Sequence, residues 1–130
     1  MPANSNIQFT GNDGYLRAAM SGLAARQRTI ANNVANVDTP NFKASEVRFE
    51  DALKSAIGSG TPGSPPDQTS LNATASQTTL INNTTLRADG NNVDIDREMA
   101  MLSETNLTYS AITQIMSTRI GILRSVIKGS

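Results

Sequence analysis

The sequence predicts a mainly α-helical fold, in which a long N-terminal helix and a long C-terminal helix pair as an antiparallel coiled-coil hairpin. Two observations support this prediction. Apolar residues recur at alternating spacings of four and three near each end of the chain, and a segment rich in Gly, Pro, Ser and Thr separates the two series. A short third helix and a flexible, largely irregular middle complete the predicted architecture. With 130 residues, the chain has the length of one small domain.

The C-terminal helix is predicted over residues 94–130, where no Gly or Pro occurs before Gly121. Asp94 is the expected N-cap, and the acidic first turn and basic last turns suit the helix dipole. A heptad series runs along this helix: Ile95, Met99, Leu102, Asn106, Tyr109, Thr113, Met116, Ile120, Leu123 and Ile127. A second apolar set lies beside it: Ile112, Ile115, Ile122 and Val126. A helix that is apolar over this width requires more than one packing partner.

The N-terminal helix begins at Asp13, after a polar tail over residues 1–12 that is predicted to be flexible. Its heptad series has one polar member: Leu16, Met20, Leu23, Gln27, Ile30, Val34 and Val37. Thr39 and Pro40 should end the helix, because a residue before proline avoids the helical region and proline has no amide donor.

The middle of the chain is predicted to contain little regular structure. Phe49, Leu53 and Ile57 have helical spacing and predict a short third helix that ends at Gly58. Residues 58–79 are predicted to form a flexible linker, and residues 80–93 a short extended piece or hairpin with a turn at Asp89 and Gly90. Residues 13–57 and 94–130 are expected to form one domain.

Antiparallel pairing of the two series brings Leu23 near Tyr109 and Gln27 near Asn106. Gln27 and Asn106 interrupt otherwise apolar series. Such a pair can form a buried polar layer that fixes the register of two helices, at some cost in stability. Alternatively, each residue is a solvent-facing position in an imperfect heptad. The sequence leaves both interpretations open.

In the same register, the end of the C-terminal helix extends past the start of the N-terminal helix. This leaves a C-terminal apolar end without a partner in the chain: Ile120, Ile122, Leu123, Val126 and Ile127. An exposed apolar surface of this size predicts association. Basic residues gather toward this end and acidic residues toward the other, so head-to-tail stacking into a filament is one hypothesis. The alternative is that the charges only complement each helix dipole.

Composition argues against several functional classes. The chain has no His and no Cys, which makes an enzyme a poor hypothesis, and the acidic segment from Asp89 to Asp96 lacks the ligand order of a calcium-binding loop. We expect no catalytic, cofactor or metal site. The 11 basic and 11 acidic residues cancel, so nucleic acid is not expected as a partner. The low content of large apolar residues predicts a thin core without a large enclosed pocket, so no small-molecule substrate is expected either. No Sec signal and no membrane-inserting segment is apparent.

An Asn-rich motif follows the N-terminal helix: Asn32-Asn33-Val34-Ala35-Asn36-Val37-Asp38-Thr39-Pro40-Asn41-Phe42-Lys43. It resembles the N-terminal signature of the bacterial flagellar rod and hook proteins, and its Thr-Pro followed by Lys-Ala is most similar to the proximal rod members. The segment from Gly90 to Ile127 is similar to the C-terminal region of that family. The family often has Gly where this chain has Asn41, and Asn also tolerates positive φ.

The resemblance implies a structural subunit of the proximal rod in the flagellar basal body. Its terminal helices would polymerise into a helical tube that transmits torque and forms part of the export channel. Implied partners are further copies of the chain, other rod proteins, the adaptor FliE, the MS ring and the flagellar type III export apparatus. The implied location is the rod in the periplasmic space, reached without a cleaved Sec signal. Two alternatives remain, a soluble coiled-coil adaptor and a different axial subunit.

The candidate assembly residues are the two heptad series, the helix-exit motif and the C-terminal apolar end. They are Leu16, Met20, Leu23, Gln27, Ile30, Val34, Asn36, Pro40, Phe42, Asn106, Tyr109, Met116, Ile120, Ile122, Leu123, Val126 and Ile127. The helix-exit signature separates the rod hypothesis from the adaptor hypothesis, because an adaptor would not need it.

Overall fold

A computed structural model describes residues 12–59, 78–82 and 85–129. The elements follow in the order α1 (Asn12–Ala35), β1 (Ser45–Val47), α2 (Glu50–Ser59), β2 (Thr78–Leu80) and α3 (Ile95–Lys128). The protein is therefore mainly helical, with a long helix near each end of the chain. Most of the predicted N-terminal tail (residues 1–11) and most of the predicted linker (residues 60–77) lie outside the described residues.

The two long helices run antiparallel. Asn33 of α1 bonds to Glu98 of α3, and nearer the other end Asp13 forms an ion pair with Arg119. Between them, Nε2 of Gln27 donates a 2.6 Å hydrogen bond to Oδ1 of Asn106. The predicted antiparallel direction and the predicted Gln27–Asn106 contact are therefore both observed. At 34 residues, α3 is about 50 Å long.

Helix α1 ends earlier than predicted. Its last residue is Ala35, whereas the sequence predicted that Thr39 and Pro40 would end it. The side chain of Asn36 forms hydrogen bonds at the end of the helix. Its Nδ2 atom donates to Asn32 O at 2.8 Å, and its Oδ1 atom accepts from the Thr39 hydroxyl at 3.1 Å. These local bonds offer the backbone an alternative to a further helical turn.

A small two-stranded sheet lies beside α1. Strands β1 and β2 are antiparallel, and Ser45 pairs with Leu80. Strand β2 overlaps the predicted extended segment (80–93) only at Leu80, because Thr78 and Thr79 belong to the predicted linker (58–79). Its partner is β1, far earlier in the sequence, and not the second strand of a local hairpin. The turn predicted at Asp89 and Gly90 is present.

The main core lies between α1, β1, α2 and α3. Its buried residues are Ala19, Leu23, Val47 and Phe49, and Leu53, Tyr109 and Ile112 pack against them. The predicted short helix is confirmed as α2, which ends one residue beyond Gly58.

Glycine at position 22 allows α1 to approach this core closely. A Cβ atom at Gly22 would lie 2.7 Å from Cδ1 of Phe49, so only glycine fits beneath that ring. Arg26, one turn later, covers the ring with its guanidinium carbon 4.8 Å from the centroid. Its Nη2 atom donates to Val47 O at 2.9 Å and to Oε2 of Glu50 at 2.6 Å.

A second, smaller core forms where the chain leaves α1. Ala44, Ile81 and Val93 are buried there, with Val37 and Phe42 packed against them. Val37, which the sequence placed in the α1 heptad series, therefore lies beyond the helix and packs on a different cluster.

Candidate assembly site

Buried asparagine side chains join the segment after α1 to the segment before α3. The Nδ2 atom of Asn91 lies within hydrogen-bond distance of the carbonyl oxygens of Asn36 (2.9 Å), Val37 (3.1 Å) and Thr39 (2.8 Å). Its Oδ1 atom accepts from Val93 N at 2.8 Å. One fully buried amide thus adds a donor to three carbonyl oxygens just after α1, each of which also accepts from another group of the chain.

Asn92 connects the residues next to the two strands, Ala44 before β1 and Ile81 after β2. Its Oδ1 atom accepts a 2.6 Å bond from Ala44 N, and its Nδ2 atom donates a 2.7 Å bond to Ile81 O. Lys43 and Arg87 add bonds to the carbonyl oxygens of Gly90 and Val37, respectively. We call the set Asn33, Asn36, Asn91 and Asn92 the asparagine junction.

Two residues with positive φ meet at this junction. Asn41 has a φ of 60° and Gly90 a φ of 79°. The amide of Asn41 donates to Asp89 O at 2.8 Å, and a Cβ at Gly90 would lie 2.5 Å from Oδ1 of Asn41. The conformation at Asn41 agrees with the expectation that Asn replaces Gly there, because Asn accepts the left-handed region better than most residues.

Helix α3 starts shortly after the last two residues of the asparagine junction, Asn91 and Asn92. Asp94 caps the helix, with its Oδ1 atom accepting from Asp96 N at 3.1 Å and from Arg97 N at 3.2 Å. The predicted N-cap is therefore confirmed. Asp89 accepts instead from Asn91 N at 3.1 Å, as in a turn. In the described residues, no group of three His, Cys, Asp or Glu is placed to hold a metal ion.

The surface of α3 that faces α1 differs from the predicted heptad series. Its less exposed residues, apart from Met101, follow a regular four-three spacing: Glu98, Leu102, Thr105, Tyr109, Ile112, Met116 and Arg119. We call these residues the α3 seam. The prediction was right for Leu102, Tyr109 and Met116. It was wrong for Met99, which is exposed; Asn106 and Thr113 are exposed too, and the residue before each of these three takes the inward position. Ile120 is exposed, as predicted for the C-terminal apolar end.

Polar side chains occupy the α3 seam because each has a partner. Glu98, only 3% exposed, accepts a 3.1 Å bond from Asn33. Thr105 is 2% exposed, and its hydroxyl donates a 2.6 Å bond to Met101 O. The Arg119 guanidinium pairs with Asp13. The sequence analysis missed Glu98 and Thr105 because a heptad search scores only apolar residues.

Burial raises the pKa of Glu98. The neighbouring carboxylates of Asp94 and Glu46 raise it further, while the hydrogen bond from Asn33 and the charge of Arg97 lower it. This carboxyl group in the first turn of α3 therefore keeps its proton to a higher pH than an exposed Glu side chain would.

Gln27 and Asn106 meet at the surface. Gln27 is half-buried and Asn106 is exposed, and their bond is solvent-accessible. The structure matches neither of the two interpretations in full: the two side chains bond to each other, but at the solvent-accessible edge of the interface and not in a buried layer. The buried polar contact between α1 and α3 is instead Asn33 with Glu98.

The predicted α1 series lies on the inner side of the helix. Leu23 and Ile30 are buried, and Leu16, Met20, Gln27 and Val34 are partly buried. In the exit motif, Asn36 and Phe42 are partly buried and Pro40 is exposed. The sequence analysis did not single out Asn91 and Asn92 as site residues, although the asparagine pair there repeats the pair at Asn32 and Asn33.

The C-terminal apolar end is exposed. The exposed fractions are 48% for Ile120, 38% for Leu123 and 73% for Ile127, and Ile122 and Val126 are also exposed. Helix α1 begins at Asn12, beside Arg119, so α3 extends beyond it. No described helix has the length and apolar content required to cross a membrane.

Comparison with known proteins identifies relatives over nearly the whole chain. A family model for flagella basal body rod proteins matches residues 16–43, which cover most of α1 and the exit motif. The flagellar basal body rod protein FlgB of Bacillus subtilis (strain 168) is 32% identical over 125 residues, covering 93% of this chain and 96% of the relative.

Two further relatives carry the same description, flagellar basal body rod protein FlgB. The protein of Borrelia hermsii is 36% identical, with 82% of this chain and 87% of the relative covered. That of Aeromonas hydrophila is 30% identical, with 95% and 97% covered. The similarity therefore includes both long helices and is not confined to the exit motif.

Proposed function

We propose a position for this chain in the cell from one premise: it belongs to the FlgB family of flagellar basal body rod proteins. It is a structural subunit of the proximal rod and associates with other components of the flagellar basal body. Its relatives are structural proteins, which argues against catalysis. The remaining question is which surfaces of the chain make the rod.

The C-terminal apolar end is the proposed assembly contact. The single observation that carries this proposal is the extension of α3 past the start of α1, with Ile122, Val126 and Ile127 each more than half exposed. Aliphatic side chains at such exposure gain free energy when a neighbouring helix covers them, by about 25 cal/mol per Å² of apolar area. Continuation of the α1–α3 pairing into a coiled coil with neighbouring subunits would supply that cover.

The asparagine junction supports this role by fixing the orientation of α3 relative to α1. Asn91 and Asn92 hold the segments at the end of α1 and the start of α3, so the direction of α3 relative to α1 is set far from its free end. A subunit that polymerises through one end of a long helix requires this rigidity, because a small angular error grows along about 50 Å of helix.

We extend the proposal to specific partners. Other rod proteins, FliE and the MS ring would be the neighbours in the basal body, and the type III export apparatus would deliver the chain to the periplasmic rod. The support is the motif from Asn32 to Lys43 together with the exposed helix end. In the assembled tube, the subunits would transmit torque and line part of the export channel.

The experiment replaces Leu123 or Ile127 with Asp. Either carboxylate would be buried without a partner in the proposed contact, so we expect rods to be absent from purified basal bodies while the chain is still secreted. Ser125→Asp is the matched control, because it adds the same charge to the same turns on another side of α3. Complete rods built from Leu123→Asp and Ile127→Asp subunits would refute the proposed contact.

A direct test of the premise is mass spectrometry of stringently washed basal bodies. We expect this chain in stoichiometric amount with the other rod subunits. Its recovery only as a soluble oligomer would instead support the adaptor alternative.

A further inference from the structure

A cavity of about 330 Å³ lies beside the start of α3 and is partly open to solvent. Its lining combines the apolar side chains of Ala44 and Ile81 with the carboxylates of Asp94 and Glu98, and Thr85 lies at its exposed side. Pockets for small ligands have volumes of about 300–1,000 Å³, so this cavity is at the small end of that range and has room for one or two side chains. We call it the α3 cavity.

Two carboxylates of the α3 cavity have no cationic partner in the part of the chain that the structure describes. Arg97 also lines the cavity, but it pairs with Glu46, as does Arg48. Asp94 bonds to backbone amides of α3, and Glu98 accepts one bond from a neutral amide of α1. Because Glu98 is only 3% exposed, its charge is poorly solvated, and a buried carboxylate without a cation is costly.

Two cationic side chains lie exposed at the other end of the same helix. Arg124 and Lys128 form no ion pair with any residue that the structure describes, and we call them the basic end of α3. Val126 and Ile127 beside them are 72% and 73% exposed. The basic end lies about 45 Å from Glu98 along α3, so it cannot reach the cavity of its own chain.

We propose that the α3 cavity of one copy of this chain binds the basic end of α3 from a second copy. The proposal rests on the proposed function, because it names the surface that the C-terminal apolar end meets. The two ends are complementary in both of their chemical properties. Cations meet the carboxylates of Asp94 and Glu98, and aliphatic groups meet Ala44 and Ile81. Charges in a partly closed cavity are also screened less by salt than exposed charges.

The contact joins opposite ends of two copies and is therefore heterologous. After two copies bind, one free cavity and one free basic end remain, so a third copy can bind in the same way. Such a series continues unless its rotation closes, which is how a helical assembly grows. The contact also brings the negative end of one helix dipole to the positive end of the next.

Pairing of two C-terminal apolar ends is the competing arrangement. It would bring Arg124 and Lys128 of both copies together, and like charges placed against each other in an interface are unfavourable. It would also be isologous and would stop at a dimer. Binding to the α3 cavity avoids both consequences.

Disulfide cross-linking in purified basal bodies tests the proposal, because the chain has no native cysteine. The variant carries Thr85→Cys at the cavity and Lys128→Cys at the basic end, and flagellated cells produce no other copy. After oxidation we expect a series of covalent oligomers, since a disulfide requires Cα atoms within about 7 Å. A disulfide within one copy is excluded, because about 45 Å separates the two ends of α3.

Each single variant is a control and should remain monomeric. A covalent dimer of Thr85→Cys alone or of Lys128→Cys alone would overturn the proposal, because like ends would then be in contact. Thr85→Cys with Ser117→Cys should also remain monomeric, since Ser117 is exposed on α3 but outside the basic end. Intact rods without oligomers of the double variant would overturn the proposal and leave the proposed function standing. Absence of the unmodified chain from basal bodies would overturn both.

Charge variants in the double-cysteine chain separate the contact from the stability of the fold. Glu98→Gln keeps an acceptor for its bond to α1 but removes the charge, so it should lower the yield of oligomers several-fold in a chain that still folds. Arg124→Glu should lower the yield as well. Lys54→Glu, the same kind of change on an exposed part of α2, should leave it unchanged. An unchanged yield with Glu98→Gln or with Arg124→Glu would contradict the proposed charge pairing.

Discussion

Asn33 of α1 donates a 3.1 Å hydrogen bond from Nδ2 to Oε2 of Glu98 in α3, and both side chains are buried. Asn33 also binds β1, since Nδ2 donates to Ser45 O at 2.7 Å and Oδ1 accepts from Ser45 N at 3.0 Å. One polar side chain therefore links α1, β1 and α3 at a buried position, where apolar side chains are more common. Its partner Glu98 makes the stability of the fold depend on pH.

Replacement of Glu98 by Gln should stabilise the protein at neutral pH and remove part of its pH dependence. Burial raises the pKa of Glu98 in the folded chain above its ordinary value of 4.5, so the folded state holds a proton that the unfolded state has released. The contribution of this group to stability is fully present below 4.5 and is lost as pH rises through the raised folded value. Gln can still accept the bond from Asn33 but carries no charge.

The measurement is the free energy of unfolding in urea at several pH values between acidic and neutral. We expect the Glu98→Gln curve to lie above that of the native chain at the neutral end and to have a smaller slope. Glu104→Gln, on an exposed part of α3, is the control and should follow the native curve. If the free energy of unfolding of Glu98→Gln changed with pH as steeply as that of the native chain, another group would be responsible for the pH dependence.

Replacement of Asn91 by Ala should destabilise the junction strongly. Carbonyl oxygens of Asn36, Val37 and Thr39 would lose the Asn91 donor, although each keeps one other donor, and Val93 N would lose its bond to Oδ1 of Asn91. We expect a loss of about 1–3 kcal/mol in the free energy of unfolding, and a larger loss for Asn91→Asp, which places an acceptor against acceptors. The control is Asn32→Ala, because Asn32 is exposed in the same motif. Equal losses at the two positions would argue against the role of Asn91.

Glycine-to-alanine substitutions in the two long helices should have opposite effects. Ala at position 22 would overlap the Phe49 ring and is expected to cost about 1–3 kcal/mol, as overpacked core substitutions do. Ala at position 121 meets nothing within 4 Å and should stabilise α3 by up to about 1 kcal/mol, since Ala is the better helix former. Thermal unfolding of both variants checks this. Restoration of Gly22→Ala by Phe49→Leu would identify the ring as the cause.

The Gln27–Asn106 contact should contribute little to stability. Because the pair is solvent-accessible, a double-mutant cycle with Gln27→Ala and Asn106→Ala should give a coupling energy below about 1 kcal/mol. Asn33→Ala with Glu98→Ala should give a clearly larger coupling, since both groups are buried. A larger coupling for the exposed pair would restore the interpretation that it fixes the helix register.

The sequence predicted the helices, their antiparallel direction and the family, because those properties depend on local patterns. Heptad spacing predicted both long helices, Asp94 was correctly identified as an N-cap, and the register brought Gln27 to Asn106. The exit motif was sufficient to suggest a rod protein. The helices, the N-cap and the exit motif can each be read within one helix or one short segment, and the antiparallel register follows from aligning the two apolar series.

The inward-facing side of α3 and the asparagine junction were decided only by the tertiary structure. Met99 continues the apolar spacing better than Glu98 does, yet Met99 is exposed and Glu98 is buried. Glu98 can be buried because Asn33, far away in the sequence, donates to it, and Asn91 is buried because the end of α1 presents carbonyl oxygens to it. Burial of a polar group depends on partners brought together by folding, which hydrophobic periodicity does not record.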